Sequence, residues 1–506
     1  MAEYILEMKN ITKVFPVVKA LDNVTFSVKK GEIHALCGEN GAGKSTLMKV
    51  LGGVYPYGTY EGDIYIENKL MKFENVRQSE DAGISIIYQE FALVKELDVG
   101  ENVFLGKLPG KAGIVDWDKM YYETTKLLEE LGMDINPHTK IKDLGVGQQQ
   151  LVEVAKALSK NAKILVLDEP SAALTDSEVK KLMEILRELK KKGVTCIYIS
   201  HKLGEVFEIA DRITILRDGK SIGTYDIKEI TEERVISLMV GRELTERFPR
   251  EEHTAGDVVM EVKNLSVYDP EGSGSLVIDN VSFQIRKGEI LGIAGLMGAG
   301  RTELVTSIFG GYPGKKIGDI YINGEKVEIN TPSDAIKNGI GLVSEDRKRY
   351  GLILEQTVMT NTTLASINQV CDWGGIINSN KEYLNSSQYV KELRIKTPTL
   401  YTKVNNLSGG NQQKVVLAKW LMTKPKILFL DEPTRGIDVG AKYEIYNIMN
   451  ELVRQDVAIV MVSSELPEIL GMSDRILVMC EGSIKAEFDY RDATQEKIMY
   501  YATGGQ

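Results

Sequence analysis

Residues 38–46, Gly-Glu-Asn-Gly-Ala-Gly-Lys-Ser-Thr, decide the fold of this chain because they spell G-x-x-x-x-G-K-S followed by a threonine. The apolar residues 31–37 before them indicate a short buried strand, and residues 47–51 after them indicate the first turns of a helix. A strand, a glycine-rich loop and a helix in this order form a phosphate-binding loop. The pattern therefore predicts a nucleotide-phosphate site within an α/β core.

Each residue type in this loop has an expected role. Gly38, Gly41 and Gly43 permit backbone conformations that bulkier residues resist, so that the loop amides and the helix N-terminus point at the phosphates. Lys44 is expected to reach the β and γ phosphates, and the Ser45 hydroxyl is expected to hold Mg²⁺. The predicted phosphate-binding set is Gly38, Glu39, Asn40, Gly41, Ala42, Gly43, Lys44, Ser45 and Thr46.

Length and composition limit the class of protein. A chain of 506 residues is too long for one typical core, and 43% hydrophobic with 26% charged residues is typical of a soluble globular protein. A net charge of −10 argues against a dedicated nucleic-acid binder. No apolar run is long enough to span a membrane, and the first residues lack the features of a signal peptide. The four cysteines are far apart, which predicts no zinc site and fits a reducing cytosol.

The chain contains a long internal repeat. Residues 260–265 resemble residues 6–11, residues 277–283 resemble the strand near Phe26, and residues 295–302 resemble the phosphate loop. The period of about 260 residues is too long for a solenoid and suits a duplicated domain.

The repeat predicts a division of the chain into two domains and a linker. We expect a first domain at residues 1–246, a short polar linker at 247–257 and a second domain at 258–506. In each copy, strands alternate with helices, which indicates a mostly parallel α/β core.

An acidic pair closes an apolar strand in the first copy. Asp168 and Glu169 end the run at 163–169, where carboxylates are costly unless they meet a cation or a reacting water. Asp168 suits Mg²⁺, and Glu169 suits polarising the water that attacks the γ phosphate.

Three further residues are candidates for contacting the nucleotide. Gln89 follows the strand at 83–88 and could hold Mg²⁺ and sense the γ phosphate. Residues 194–201 are predicted to form the final strand of the first copy, with His201 at its tip. His201 could bond the same phosphate, or be an ordinary core or surface histidine. Phe15 could stack on adenine or pack in the core.

The order of these motifs resembles the nucleotide-binding domain of ABC transporters in both halves and over nearly the whole chain. Residues 300–303, 345–348 and 431–438 make it more similar to the fused ATPases of bacterial pentose and hexose importers. Residues 55–62 and 143–148 look most like the D-xylose group of that family.

The resemblance implies a fold, partners and cofactors. It implies tandem P-loop NTPase domains, each with a mostly parallel α/β core, an antiparallel β part and a helical subdomain. It implies an ATPase that uses ATP and Mg²⁺ and drives import of a monosaccharide, with D-xylose as the expected sugar. The expected partners are an integral membrane permease, as a homodimer, and an extracytoplasmic sugar-binding protein. Binding at the cytoplasmic face of the membrane is expected, without nucleic acid and without direct contact with the sugar.

In that family, ATP lies between the phosphate loop of one domain and the L-S-G-G-Q signature of the other. The intact first loop is then paired with the second signature, and Glu169, His201 and Gln89 are its expected catalytic residues. The signature residues implied for this competent site are Ser408, Gly409, Gly410 and Asn411.

The departures from the family pattern collect in the other site. Arg301 replaces lysine, Glu345 replaces glutamine, Ser464 replaces histidine, and Gly145 stands where the first signature should have serine. The resemblance thus implies a degenerate second site made from Gly295, Gly298, Gly300, Arg301, Thr302, Glu345, Asp431, Glu432, Ser464, Gly145, Gly147 and Gln148.

Two other soluble classes carry similar domains. In a translation factor of the ABC-F type, two such domains with good signatures are expected, joined by a long charged helical linker. In this chain the linker is short and the two sites are unequal. A DNA-repair ABC ATPase would carry zinc-binding cysteine pairs, which this sequence lacks.

Overall fold

A computed structural model describes residues 3–15, 18–39, 41–88, 92–111, 114–160, 162–171, 174–200, 202–241, 248–270, 272 and 274–505. The side chains of Asp176 and Val240 lie outside this description. The chain divides into two compact units, Met1–Leu244 and Thr245–Gln506.

The first unit contains twelve strands among its described residues, together with eight α-helices. The strands are β1 (Tyr4–Val14), β2 (Lys19–Lys29), β3 (Ile33–Cys37), β4 (Glu61–Ile66), β5 (Lys69–Met71), β6 (Ile84–Ile87), β7 (Gly110–Lys111), β8 (Ile114–Val115), β9 (Ile164–Asp168), β10 (Thr195–Ile199), β11 (Arg212–Arg217) and β12 (Lys220–Asp226). The helices are α1 (Lys44–Leu51), α2 (Val76–Asp81), α3 (Val99–Val103), α4 (Trp117–Glu130), α5 (Val146–Ser159), α6 (Asp176–Lys191), α7 (Leu203–Ile209) and α8 (Glu232–Val240).

The second unit repeats this order of elements with ten strands among its described residues. The strands are β13 (Val258–Tyr268), β14 (Leu276–Arg286), β15 (Ile290–Gly295), β16 (Lys316–Ile322), β17 (Glu325–Val327), β18 (Ile340–Val343), β19 (Ile427–Asp431), β20 (Ala458–Val462), β21 (Arg475–Cys480) and β22 (Ser483–Asp489). The helices are α9 (Arg301–Ile308), α10 (Pro332–Lys337), α11 (Val358–Thr363), α12 (Ser379–Glu392), α13 (Gly409–Leu421), α14 (Val439–Val453), α15 (Leu466–Met472) and α16 (Gln495–Ala502).

A six-stranded sheet lies at the centre of the first unit, in the order β12-β11-β3-β10-β9-β6. Its strands are parallel except for β12, which runs antiparallel to β11 at one edge. All five residues of β3 are buried, as expected for a parallel strand covered on both faces. Because β3, β9 and β10 are neighbours and parallel, the phosphate loop, the acidic pair and the segment after Ile199 meet at one edge of the sheet.

A four-stranded antiparallel sheet, in the order β2-β1-β4-β5, forms the second layer of this unit. Met8 and Phe26 from its inner face join Leu47 and Leu51 of α1 and Val166 of β9 in one buried cluster. This packing supports the helix that begins at the phosphate loop. A small hairpin, β7 with β8, lies between α3 and α4.

The second unit has the same two layers. Its six-stranded sheet runs β18-β19-β20-β15-β21-β22, with only β22 antiparallel, and its four-stranded sheet runs β14-β13-β16-β17. The fold class predicted from the sequence is confirmed: two copies of a P-loop α/β core, each with an antiparallel sheet and a helical part.

The strand predicted at residues 194–201 is present as β10 (Thr195–Ile199), but the prediction that it is the final strand of the first copy is wrong. The chain continues into β11 and β12, and β11 pairs with the free edge of β3 from Arg212 to Ile215. The short apolar core of β11 fills the hydrogen-bonding edge that the central strand would otherwise leave open.

The described part of the predicted linker contacts the second unit. The Phe248 ring lies 5.6 Å from that of Tyr446, and the Arg250 guanidinium donates to the carbonyls of Leu470 (3.2 Å) and Ser473 (2.9 Å). The boundaries 1–246, 247–257 and 258–506 remain predictions; residues 248–257 pack as part of the second unit. Among the described residues, no helix combines the length and apolar character needed to cross a membrane.

Candidate functional site

The first phosphate loop connects the central strand β3 to α1. Gly43 precedes the helix with a φ of 101°, a left-handed conformation that favours glycine. A Cβ atom at Gly38 would lie 2.4 Å from the Leu216 carbonyl oxygen of β11. These two positions explain why the loop needs glycine where the sequence has it.

Lys44 lies inside its own loop. Its ammonium donates to the carbonyls of Gly38, at 2.7 Å, and Glu39, at 3.0 Å, and the residue is buried. The positive charge is therefore held against the backbone of the loop, as expected for a group that neutralises phosphate charge.

Ser45 and Asp168 come together across the sheet edge, as the sequence predicts for a Mg²⁺ site. The Ser45 hydroxyl is hydrogen-bonded to the Asp168 carboxylate. Burial and the neighbouring Glu169 raise the pKa of Asp168, while Lys44 and the Ser45 hydrogen bond oppose this rise. A hydroxyl and a buried carboxylate are hard oxygen donors, so this pair fits Mg²⁺.

Glu169 has an unusual backbone conformation. Its φ is 50°, in the left-handed region that a non-glycine residue adopts at a cost. Its N–H donates to the Ile199 carbonyl of β10 at 2.9 Å. The strand end is thus bent so that the carboxylate follows Asp168 at the same edge of the sheet.

Some predicted residues of the first site lie elsewhere or outside the description. Asn40, Gln89 and His201 lie outside the described residues. Phe15 follows β1, is half-buried, and packs edge-on against Tyr55 with ring centroids 5.5 Å apart. Its stacking on adenine stays a prediction.

The second phosphate loop is built like the first, but the Arg301 side chain bonds to groups outside this loop. Gly300 precedes α9 with a φ of 93°. The Arg301 guanidinium donates from Nη1 to the Ser463 carbonyl at 2.7 Å, and its Nη2 lies 3.7 Å from Glu432 Oε1. Lys44 bonds to carbonyls of its own loop, whereas Arg301 bonds to the carbonyl that follows β20. The two cations of the repeat therefore occupy different surroundings.

The acidic pair of the second unit keeps the geometry of the first. Glu432 has a φ of 48°, and its N–H donates to the Val462 carbonyl at 2.9 Å. Thr302 is hydrogen-bonded to Asp431, whose pKa burial raises to about 6. Burial also raises the pKa of Glu432 to about 7, opposed by Arg301. Among the described residues, Asp431 Oδ1 is buried without a hydrogen bond, which leaves one oxygen available to a cation.

Ser464 and Glu345 also have partners within the second unit. The Ser464 hydroxyl donates to Glu432 Oε2 at 3.1 Å. Glu345 forms an ion pair with Arg435. Arg435 therefore balances the negative charge of Glu345.

The two signature segments each precede a helix, but their first residues differ. Ser408 precedes α13, and its Oγ accepts from Asn411 Nδ2 at 2.9 Å. The Asn411 Oδ1 accepts from the backbone N–H of Lys396 at 2.8 Å, so Asn411 links the Ser408 hydroxyl to the Lys396 backbone. With its lone pair engaged, the Ser408 hydroxyl keeps its proton for donation to an anion.

In the first signature, Gly145 precedes α5, and its N–H donates to Gln148 Oε1 at 3.2 Å. A Cβ atom at Gly145 would meet only Gln148 Oε1, at 3.8 Å. Packing therefore does not require glycine at this position, and the absence of a serine is not explained by lack of space. At Gly147, a Cβ atom would collide with the carboxylate of Glu178.

Two features of these sites were not predicted from the sequence. The left-handed backbone at Glu169 and Glu432 had no sequence signal, because glutamate seldom adopts it. The carboxylates of Glu205, which is partly buried, and of Glu468, which is fully buried, hold the neighbouring loops and were also not predicted. The sequence signal that could have found these two glutamates is their equivalent position in the repeat, four residues after His201 and Ser464.

These loops, acidic pairs and signatures define a class of protein that binds nucleotides through tandem P-loop domains. The model of the family described as ABC transporter matches residues 21–172 and again residues 278–435. The chain belongs to the ABC transporter family and carries two of its ATP-binding domains.

Close relatives extend over the whole chain. The xylose import ATP-binding protein XylG of Thermoanaerobacter pseudethanolicus is 65% identical over 100% of both chains. The L-arabinose transport ATP-binding protein AraG of Geobacillus stearothermophilus is 55% identical over 99% of this chain and 98% of its own. A solved structure of a nucleotide-free ATP-binding cassette from an ABC transporter is 32% identical, with a TM-score of 0.43, over 46% of this chain and 98% of that one.

Proposed function

We propose that this chain is the ATP-hydrolysing subunit of a bacterial sugar importer, with D-xylose as the sugar. Membership of the ABC transporter family and full-length identity of 65% with a xylose import ATP-binding protein support the proposal. The chain works with a membrane permease, as a homodimer, and an extracytoplasmic sugar-binding protein, and it acts at the cytoplasmic face of the membrane.

The two ATP sites have different tasks in this proposal. The first phosphate loop, with the second signature, hydrolyses ATP, and the second loop, with the first signature, mainly holds nucleotide. The observation that carries this asymmetry is the side chain of Arg301, which bonds to Ser463 and approaches Glu432. Its planar guanidinium does not replace the compact ammonium of Lys44.

In the first site, each residue has a proposed task. Lys44 neutralises the β and γ phosphates, and Ser45 with Asp168 and Gln89 would hold Mg²⁺, which supplies further neutralisation of phosphate charge. Glu169 polarises the attacking water, and His201 bonds the γ phosphate. Ser408 donates its hydroxyl proton to the same phosphate.

In the second site, the corresponding groups are engaged with one another. Glu432 is bonded by Ser464 and faces Arg301, and no serine stands at Gly145. Losing one or two transition-state contacts would slow that site by roughly a hundredfold or more. Nucleotide binding depends on many loop amides and would suffer less.

The test compares Glu169→Gln with Glu432→Gln in the assembled transporter. Glutamine is nearly isosteric with glutamate but cannot act as a base. Glu169→Gln should bind ATP without turnover, and Glu432→Gln should retain much more of the ATPase rate. Equal losses from the two substitutions would contradict the asymmetric assignment.

The sugar is tested separately, by transport of D-xylose and L-arabinose in cells that carry the chain with its permease and binding protein. D-xylose uptake that depends on this chain supports the proposal. Uptake of L-arabinose alone would move the assignment to the sugar of the second relative. Pelleting of the purified chain with ribosomes would favour a translation factor instead.

A further inference from the structure

A carboxylate that is only 12% exposed holds the loop that follows the acidic pair in the first unit. Glu205, on α7, accepts from the Ser171 hydroxyl at 2.6 Å and from the Tyr198 hydroxyl at 2.6 Å, both on Oε2. Ser171 and Tyr198 are buried. Lys202 completes the cluster, since its ammonium lies 3.3 Å from Glu205 Oε1 and donates to the Ser171 carbonyl at 3.1 Å.

The second unit contains the same cluster, built from its own residues. Glu468, on α15, accepts from the Thr434 hydroxyl at 2.6 Å and from the Tyr446 hydroxyl at 2.8 Å. The Ser463 hydroxyl donates to its other oxygen. Glu468, Thr434 and Tyr446 are all buried.

The tyrosine reaches the carboxylate from different elements in the two units. Tyr198 lies on β10, and the equivalent residue of β20 is Met461. Tyr446 lies on α14, and the equivalent residue of α6 is Met183. Tyrosine and methionine have thus exchanged places between strand and helix, while the hydrogen bond to the glutamate is present in both units.

This exchange indicates that the hydrogen bond from tyrosine to the glutamate is what both units retain, and not the packing of a tyrosine at one position. A buried carboxylate is costly unless it is fully hydrogen-bonded. Two methionines at these positions would fill the core equally well. A hydroxyl that reaches the same carboxylate from two different positions indicates that the carboxylate must be held in place.

The position of this cluster links it to the reacting groups. Ser171 is two residues after Glu169, and Glu205 is four residues after His201. The backbone of Glu169 is held on one side by the Ile199 carbonyl. The Ser171 bond to Glu205 holds the other side of the same bend.

We propose that Glu205 is a positioning residue that fixes the carboxylate of Glu169 relative to the segment carrying His201, through its bonds to Ser171 and Tyr198. The inference rests on the proposed ATPase function. Glu205 does not contact the nucleotide in this proposal, so its loss should lower kcat with little effect on KM.

The main experiment measures kcat and KM for ATP in the assembled transporter with Glu205→Gln. The amide loses the negative charge that accepts two hydroxyl bonds and faces Lys202. Loss of such a charge-assisted contact corresponds to a fall in kcat of about tenfold or more. The matched control is Glu208→Gln, on the same helix, which removes a carboxylate paired with Arg187 at the surface.

Two further sets of variants keep the inference testable if Glu205→Gln fails to fold. Ser171→Ala should lower kcat, and Ser171→Thr, which restores the hydroxyl found at Thr434, should recover most of it. Tyr198→Met should also lower kcat, and adding Met183→Tyr, which copies the arrangement of the second unit, should raise it again.

The outcomes separate this inference from the function on which it rests. An unchanged kcat in folded Glu205→Gln and Ser171→Ala, in a transporter whose wild type hydrolyses ATP, would overturn the positioning role alone. A parallel rise in KM would assign these residues to nucleotide binding and would also overturn it. A wild-type complex without ATPase activity would overturn the proposed function as well.

Discussion

At the scale of single residues, Lys44 and Arg301 occupy equivalent positions of the repeat but have different surroundings. Both residues begin a helix after a glycine with a left-handed backbone. Lys44 bonds to the carbonyls of Gly38 and Glu39, whereas Arg301 extends to Ser463. The longer, planar side chain reaches a carbonyl that a lysine held in its own loop does not contact.

The first prediction concerns these two cations. Lys44→Ala should abolish nucleotide-dependent transport, because it removes the ammonium held among the loop amides; such a charge-assisted contact is worth about 1.5–3 kcal/mol and more in the transition state. Arg301→Ala should lower the ATPase rate by a smaller factor. ATPase and uptake assays on the assembled transporter measure both, and a wild-type rate with Lys44→Ala would contradict the prediction.

At the scale of elements, the central strand β3 carries a buried histidine just before the phosphate loop. The His34 ring nitrogens lie 2.8 Å from Glu32 Oε1 and 2.7 Å from Thr214 Oγ1. Burial lowers the pKa of His34, and the charge of Arg212 acts in the same direction, while Glu32 and Asp211 oppose it. The folded protein therefore resists protonation of this ring.

The second prediction follows from the direction of that pKa. An unfolded histidine has a pKa of about 6.5, so below this pH the unfolded chain binds a proton that the folded chain resists. The free energy of unfolding should fall as the pH drops below about 6.5, by at most about 1.4 kcal/mol per pH unit from this residue. Denaturant unfolding at several pH values measures the slope.

The control for this prediction is an exposed histidine of the same unit. His34→Gln should reduce the acid-dependent loss of stability, whereas His138→Gln, at an exposed position, should leave it nearly unchanged. An identical pH dependence in His34→Gln and the wild type would show that other groups cause the loss.

A second element-scale feature is the segment at 248–257, which packs on the second unit. Phe248 lies against Tyr446, and a Cβ atom at Gly471 would lie 2.4 Å from the Phe248 ring. Arg250 stacks on Tyr490, with its guanidinium carbon 3.3 Å from the ring centroid. The segment is held by aromatic packing as well as by hydrogen bonds.

The third prediction is that Phe248→Ala destabilises the second unit by about 1–3 kcal/mol, less than a fully buried phenylalanine because Phe248 is half-buried. Hydrogen exchange in α14 and α15 of the full chain should become faster. Trp373→Ala is the matched control, since Trp373 is 99% exposed in the same unit. Equal exchange rates in the two variants would contradict the prediction.

At the scale of the whole molecule, both units contain the same surface loop before a short helix. Asn102 bonds to the backbone N–H and carbonyl of Val94, at 2.8 and 3.0 Å. Asn361 makes the same two bonds to Ile353, at 2.8 and 3.0 Å. Each buried asparagine thus presents an exposed apolar residue, Val94 at 43% and Ile353 at 47% exposure.

The fourth prediction concerns the permease. Two equivalent loops, within residues 89–102 and 345–361, should each dock one subunit of a homodimeric permease, because a repeated partner requires a repeated surface. The chain should co-purify with membranes when the permease is co-expressed. Val94→Asp and Ile353→Asp should each weaken this association, and together they should abolish it.

Ile317→Asp is the control for the docking prediction, because Ile317 is 50% exposed on the antiparallel sheet and lies outside both loops. It should leave co-purification unchanged. A chain that stays in the soluble fraction with co-expressed permease, or double variants that bind as well as the wild type, would contradict this mode of docking.

The sequence by itself determined the features that consist of neighbouring residues. The phosphate loop, the acidic pair, the signatures and the repeat are contiguous patterns whose residue types state their chemistry. The α/β class followed because apolar strands and helices alternate along the chain. The association of Ser45 with Asp168 was also predictable, because the ends of neighbouring parallel strands meet at one edge of a sheet.

Only the tertiary structure decided how side chains far apart in sequence meet. The pairing of β11 with β3, the direction of Arg301 and the partner of Glu345 depend on contacts across the sheet edge. The clusters around Glu205 and Glu468 depend on a strand, a helix and a loop converging on one carboxylate. A local pattern does not encode such convergence, because the free energy of each contact arises only when the sheet brings its partners together.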